Sequence, residues 1–191
     1  SYLVAMLYDN PSNNYLMEVE LGVLDACQEQ HYNFMLAPLV YDAKDIVAKV
    51  EALIVQSRLD GVVLTPPITD DAALLERLDE LGVPWSSISA TEPYRRIGVM
   101  VDERNAVREM IAHLVSLGHT RIAHIKGHFA HGASRWRHDG YKDGLKQAGL
   151  RYDPSLVVEG EFSYDSGFAA TNRLLDLERP PTAIFAANDD M

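Results

Sequence analysis

Strand and helix alternate along this chain almost without a break, and that alternation limits its fold more than any other feature. Apolar runs at residues 2–8 (YLVAMLY), 33–40, 61–65 (GVVLT), 85–89 and 97–101 read as strands. Between the first four lie stretches of helical period: residues 15–30, a stretch opened by Asp42 and running to 57, and 70–81, which Gly82 and Pro84 close. In the first helix Leu16, Val19, Val23, Leu24 and Cys27 fall on one face. The same grammar resumes after residue 101. A helix opened by Asp102 or Glu103 runs to Leu117, and 121–126 (RIAHIK) is a strand. A helix at 134–148, a strand at 156–161, a helix at 164–177 and a final strand at 183–187 follow. Strands separated by long helices connect in parallel through right-handed crossovers, so each sheet is covered on both faces. Five strands precede residue 102 and three follow it, which predicts an α/β protein of two sheets, the second incomplete. The expected lobes are 1–101 and 102–191, joined with no proline-rich or low-complexity linker.

Composition narrows the function. The 191 residues are 47% hydrophobic, ample for a packed core. The 17 Lys+Arg against 28 Asp+Glu give a net charge of −11, and phosphate backbones are held by concentrated basic patches. Residues 1–191 are therefore not expected to contact nucleic acid themselves. The one cysteine, Cys27, cannot form a disulfide within the chain and sits in an amphipathic helix, as a buried structural thiol would. No apolar run reaches the roughly 18 residues of a membrane span.

Several chemistries are missing. Asp9-Asn10-Pro11 follows the first strand where a dinucleotide site needs a glycine-rich turn, and there is neither a P-loop nor a nucleophile elbow. His119, His124, His128, His131 and His138 lie close in sequence, but without a cysteine partner or an H-E-x-x-H they are expected to be solvated or hydrogen-bonded loop histidines, not zinc ligands. No enzyme, metal or cofactor is expected. The end of the chain is more telling. An apolar strand runs into Asn188-Asp189-Asp190, and open parallel sheets bind ligands in the crevice at the carboxyl ends of their strands.

Particular segments then carry a resemblance: Asn13-Asn-Tyr-Leu-Met-Glu-Val, Leu117-Gly-His-Thr-Arg-Ile-Ala, Arg135-x-Arg-x-x-Gly-Tyr141, Ser166-Gly-Phe168 and Pro181-Thr-Ala-Ile-Phe-Ala-Ala-Asn-Asp189, in that order. Together they resemble the effector-binding domain of the lactose/galactose-repressor (LacI/GalR) family, over essentially the whole chain. The resemblance implies a two-lobed fold of the periplasmic-binding-protein type and a small-molecule effector held between the lobes. It also implies a helix-turn-helix headpiece, absent from these residues, through which operator DNA is bound. A cytoplasmic homodimer is implied as well, in a natural chain that continues beyond Met191. A carbohydrate is the leading effector, a nucleobase the second. A periplasmic sugar-binding protein of a transporter is the alternative function.

The resemblance also nominates site residues. Arg137 matches the family arginine of the ligand cleft, and a guanidinium fork suits paired hydroxyls. Asn188 can donate to and accept from a hydroxyl. Phe162 follows a strand where the family places an aromatic against the ligand. Tyr15 and Leu16 match contacts at the start of the first helix, whose amino terminus offers backbone N–H groups. Thr65 and Ser89 stand where relatives often carry asparagine and aspartate. Asn14, Arg135 and Asp189 are secondary candidates, with Asp189 also expected to cap a following helix.

Overall fold

The computed structural model describes residues 2–91 and 97–191, which divide into two compact units, 1–100 and 101–191. Unit 1 is built on an all-parallel sheet of β1 (Leu3–Tyr8), β2 (Asn33–Pro38), β3 (Gly61–Leu64), β4 (Trp85–Ile88) and β5 (Gly98–Val99), in the spatial order β2-β1-β3-β4-β5. Its helices are α1 (Asn13–Glu29), α2 (Ile46–Ser57) and α3 (Ala72–Glu80). Alternation along the strands sorts the faces. Ala5 and Leu7 of β1, Val62 and Leu64 of β3 and Trp85 of β4 point to one side, where Val50 and Ile54 of α2 and Leu74 and Leu78 of α3 close the core. Val4 and Val63 point to the other side, where they and α1 line an apolar cavity of about 570 Å³.

Two helix starts in unit 1 fall later than the sequence reading. Asp42 does not open α2, which starts four residues later with Asp45 at its N-cap. The segment before it is drawn into a turn because the Asp9 carboxylate, at the end of β1, accepts the Tyr41 N–H at 2.8 Å. The second helix start moves from residue 70 to Ala72. Residues 68–70 form a 3₁₀ turn, and the Asp71 carboxylate caps α3 by accepting the Leu74 N–H at 2.9 Å. The periodic face of α1 is buried less than expected, with Cys27 its one buried side chain among the described residues.

Unit 2 has three parallel strands, β6 (Ile122–Lys126), β7 (Val157–Glu159) and β8 (Ala183–Ala186), in the order β7-β6-β8. The helices α4 (Glu103–Ser116), α5 (Gly132–Gln147) and α6 (Tyr164–Leu175) cover it. One face holds Ala123, Ile125, Val158, Ala170 and Leu174, against α6. The other holds Val107 and Ile111 of α4 with Ile122, Tyr141 and Leu145. Gly140 and Gly144 let α5 lie close on α4: a Cβ on Gly144 would come within 2.7 Å of Ile111 Cβ. The Tyr141 hydroxyl, fully buried here, donates to the Ile122 carbonyl at 2.8 Å.

Candidate functional site

The strands of unit 2 end together. Lys126 pairs with Glu159 and Ile125 with Ala186, so Gly127, Gly160 and Ala187 follow at one edge. The Gly160 N–H donates to the Lys126 carbonyl and the Ala187 N–H to that of Ile125, carrying the pairing to that edge. This is the carboxyl edge, where open parallel sheets take ligands.

Phe162 is placed there by its backbone. Its φ of 60° turns the chain sharply after β7. The ring lies over Gly127, where any Cβ would collide with it, and meets His131 edge-to-face at 5.2 Å. Only 5% of the residue is exposed. The turn is held by Ser166, whose hydroxyl oxygen accepts the Glu161 N–H at 2.9 Å and donates to the Ser163 carbonyl at 2.8 Å. Asn188 holds it from the other side. Its Nδ2 donates to the Phe162 carbonyl at 3.1 Å, while its Oδ1 accepts the Met191 N–H at 3.3 Å. The capping geometry expected of Asp189 therefore belongs to Asn188, and Asp189 is exposed.

Arg137 reaches the same edge from α5. Its Nε and Nη2 donate to the two carboxylate oxygens of Glu103 at 2.7 and 2.9 Å, and Nη1 donates to the Ala187 carbonyl at the end of β8. A guanidinium has five N–H groups, so one remains on each Nη for further acceptors. The side chains of Arg137 and Glu103 are 22% and 13% exposed, which screens the pair from much of the solvent. Arg135, two residues earlier on α5, is exposed. Glu103 was not singled out from sequence. It is the first residue of α4, behind the Asp102 cap, where an acid is already accounted for by the helix dipole.

The expectation of loop histidines is corrected at His124, which the alternation of β6 turns into the core. His124 is fully buried, its Nδ1 3.1 Å from the Phe185 carbonyl and its ring stacked on those of His138 and Phe185. Burial pulls its pKa down to about 3, so the ring is neutral near neutrality. His138 is lowered for the same first reason. His128 lies 3.5 Å from the Glu161 carboxylate. Among the described residues no three His, Cys, Asp or Glu side chains are grouped to hold a metal.

Unit 1 presents its own strand ends, with less charge. The Tyr15 and Leu16 amides are not on offer: Ser12 takes the first through Oγ at 3.3 Å and the second through its carbonyl at 3.1 Å. That corrects the expectation of open N–H groups at those two positions, because the helix is capped by its own Ser12. Asn14 is exposed in the same first turn. Thr65, just after β3, is fully buried, and its hydroxyl donates to the Leu7 carbonyl at 3.2 Å. Ser89 follows β4 with a φ of 51°, and its N–H donates to the Val99 carbonyl at 2.8 Å.

Unit 2 thus gathers aromatic, amide and guanidinium groups at the carboxyl edge of a parallel sheet, the place where the class of open α/β small-molecule-binding proteins takes its ligands. The whole chain, residues 1–191, matches the model of the periplasmic binding proteins and sugar binding domain of the LacI family, and it belongs to that family. It is 30% identical over 190 residues to the HTH-type transcriptional regulator DegA of Bacillus subtilis, covering 98% of this chain and 56% of that protein. It is 35% identical over 176 residues to the HTH-type transcriptional regulator CelR of Thermobifida fusca, covering 91% and 51%. Among solved structures, a transcriptional regulator CelR–cellobiose complex is similar at a TM-score of 0.81 and 31% identity, over 97% of this chain and 58% of that one. The chain thus spans about half the length of the relatives it matches.

Proposed function

We propose that this chain is the ligand-sensing part of a LacI-family transcriptional regulator, and that its effector is a carbohydrate. The observation that carries the reading is the Arg137 fork beside the Phe162 turn, at the carboxyl edge of a unit that belongs throughout to this family. Two N–H groups on one guanidinium suit neighbouring hydroxyls, and an aromatic ring suits the apolar face of a sugar. The similar CelR structure holds cellobiose, which supports a sugar as the class. Asn188 and Phe162 are proposed as the companions of Arg137, with Arg135 and Asp189 at the margin. Tyr15, Leu16, Asn14, Thr65 and Ser89 are proposed as the contribution of unit 1. In this reading effector binding favours one conformation of the sensing domain. That bias reaches operator DNA through a helix-turn-helix outside these residues, in a cytoplasmic homodimer. The named relatives are transcriptional regulators, which favours regulation over transport or enzymatic turnover.

The test is the melting temperature of the full-length protein against mono- and disaccharides, purines and sugar phosphates. A ligand at a hundred times its Kd adds about 2.7 kcal/mol, so a binder raises Tm by a few degrees. A rise with a sugar supports the reading. A rise with purines alone, or no rise at all, overturns the carbohydrate assignment.

A further inference from the structure

We infer that Glu103 is a positioning and specificity residue, which aims the Arg137 guanidinium and cancels its charge so that the site accepts an uncharged polyol over the matching sugar acid or phosphate. The inference rests on the reading that Arg137 contacts the effector. A surface arginine kept for an anion would present an open fork with unspent charge. Arg137 instead gives its Nε–Nη2 edge to both oxygens of one carboxylate, in a pair with little exposure. What remains directed elsewhere is a pair of N–H donors carried by an ion pair with no net charge.

The neighbouring charges point the same way. Lys126, at the end of β6, is paired with Glu159 across the sheet at 2.5 Å. His128 faces Glu161, and the exposed Asp189 follows Asn188 directly. Arg135 is two residues from Arg137 on a helix, about 200° round the axis, and so projects from a different face. An incoming carboxylate or phosphate would therefore meet compensated cations and additional acids. A hydroxyl group carries no charge to be repelled, and can accept from the donors and donate to the acids. The Ala187 contact adds direction: Nη1 is tied to the end of β8, so the guanidinium plane is fixed by two elements besides its own helix.

The experiment is isothermal titration of the full-length protein with three matched pairs: cellobiose and cellobionate, glucose and glucuronate, ribose and ribose 5-phosphate. Wild type is expected to bind one of the neutral sugars at least about tenfold tighter than its anionic counterpart. Glu103→Gln, which keeps the shape and removes the charge, is expected to weaken the neutral sugar by about tenfold and to narrow or invert the preference. Glu103→Asp keeps the charge on a shorter stem, and should weaken binding while retaining the preference. A purely structural glutamate would alter affinity for both members of a pair alike. If Glu103→Gln leaves the neutral-to-anionic ratio at its wild-type value, the inference falls while the carbohydrate reading stands. A wild type that prefers the anion overturns it as well. Binding of none of the six probes overturns the carbohydrate reading and this inference with it.

Discussion

Unit 1 closes its core with aliphatic side chains, Trp85 and small hydroxyls, whereas unit 2 buries two imidazoles and a phenol beside its aliphatic residues. The contrast continues at the strand ends. In unit 1, Thr65 and Ser12 turn their hydroxyls onto the unit's own backbone. In unit 2, Glu103 grips Arg137, which still has N–H groups to spare, and Asn188 braces the Phe162 turn. The first sheet ends in hydroxyls held by its own backbone. The other carries a chemically prepared edge, and its core is correspondingly more sensitive to pH and to packing.

Acid should separate the two most strongly. The folded pKa of His124, about 3, lies below the roughly 6.5 of an exposed imidazole, so the unfolded chain binds the proton first. The stability of unit 2 is then present above about pH 6.5 and declines as pH falls toward 3, by as much as about 1.4 kcal/mol per unit. His138, also lowered, acts in the same direction. Unit 1 contains one histidine, His31, which is exposed. Hydrogen exchange of the full-length protein between pH 6.5 and 4.5 should therefore show protection lost by about 2–3 kcal/mol in unit 2 and much less in unit 1. His124→Asn, which can still donate to the Phe185 carbonyl, should flatten the slope. Equal loss in both units would break the comparison.

The same chemical change at two glycines should act with opposite signs. Gly144→Ala puts a Cβ within 2.7 Å of Ile111 Cβ and is expected to cost about 1–3 kcal/mol in urea denaturation. Tyr141→Phe removes a buried hydrogen bond and leaves the Ile122 carbonyl unpaired, for about 1 kcal/mol by the same measurement. Gly22→Ala, in α1 where nothing lies within 4 Å of the new methyl group, should instead gain about 0.5–1 kcal/mol from helix propensity. A loss at Gly22 would mean that α1 is packed more tightly than its surroundings indicate.

Much of the fold was legible because the strand runs and helix periods are local. Ala183–Ala186 and Ile122–Lys126 fall within one residue of the strands read from sequence. The misplaced start of α2 was not local: the Asp9 carboxylate, 32 residues before Tyr41, decides it. For the candidate site, Arg137, Phe162 and Asn188 could be nominated through the family resemblance, and the structure brings all three to one edge of unit 2. Their mutual arrangement could not be read. Glu103 lies 34 residues from the arginine it grips, and its place behind an N-cap already explained an acid there. The positive φ of Phe162 left no glycine to mark it.

The most direct test compares Arg137→Ala with wild type, both full length, by isothermal titration against cellobiose, glucose and ribose. Wild type is expected to bind at least one of them, and the variant to stay folded with binding weakened beyond detection. A variant that binds as tightly as wild type would contradict the claim that this arginine fork receives the effector.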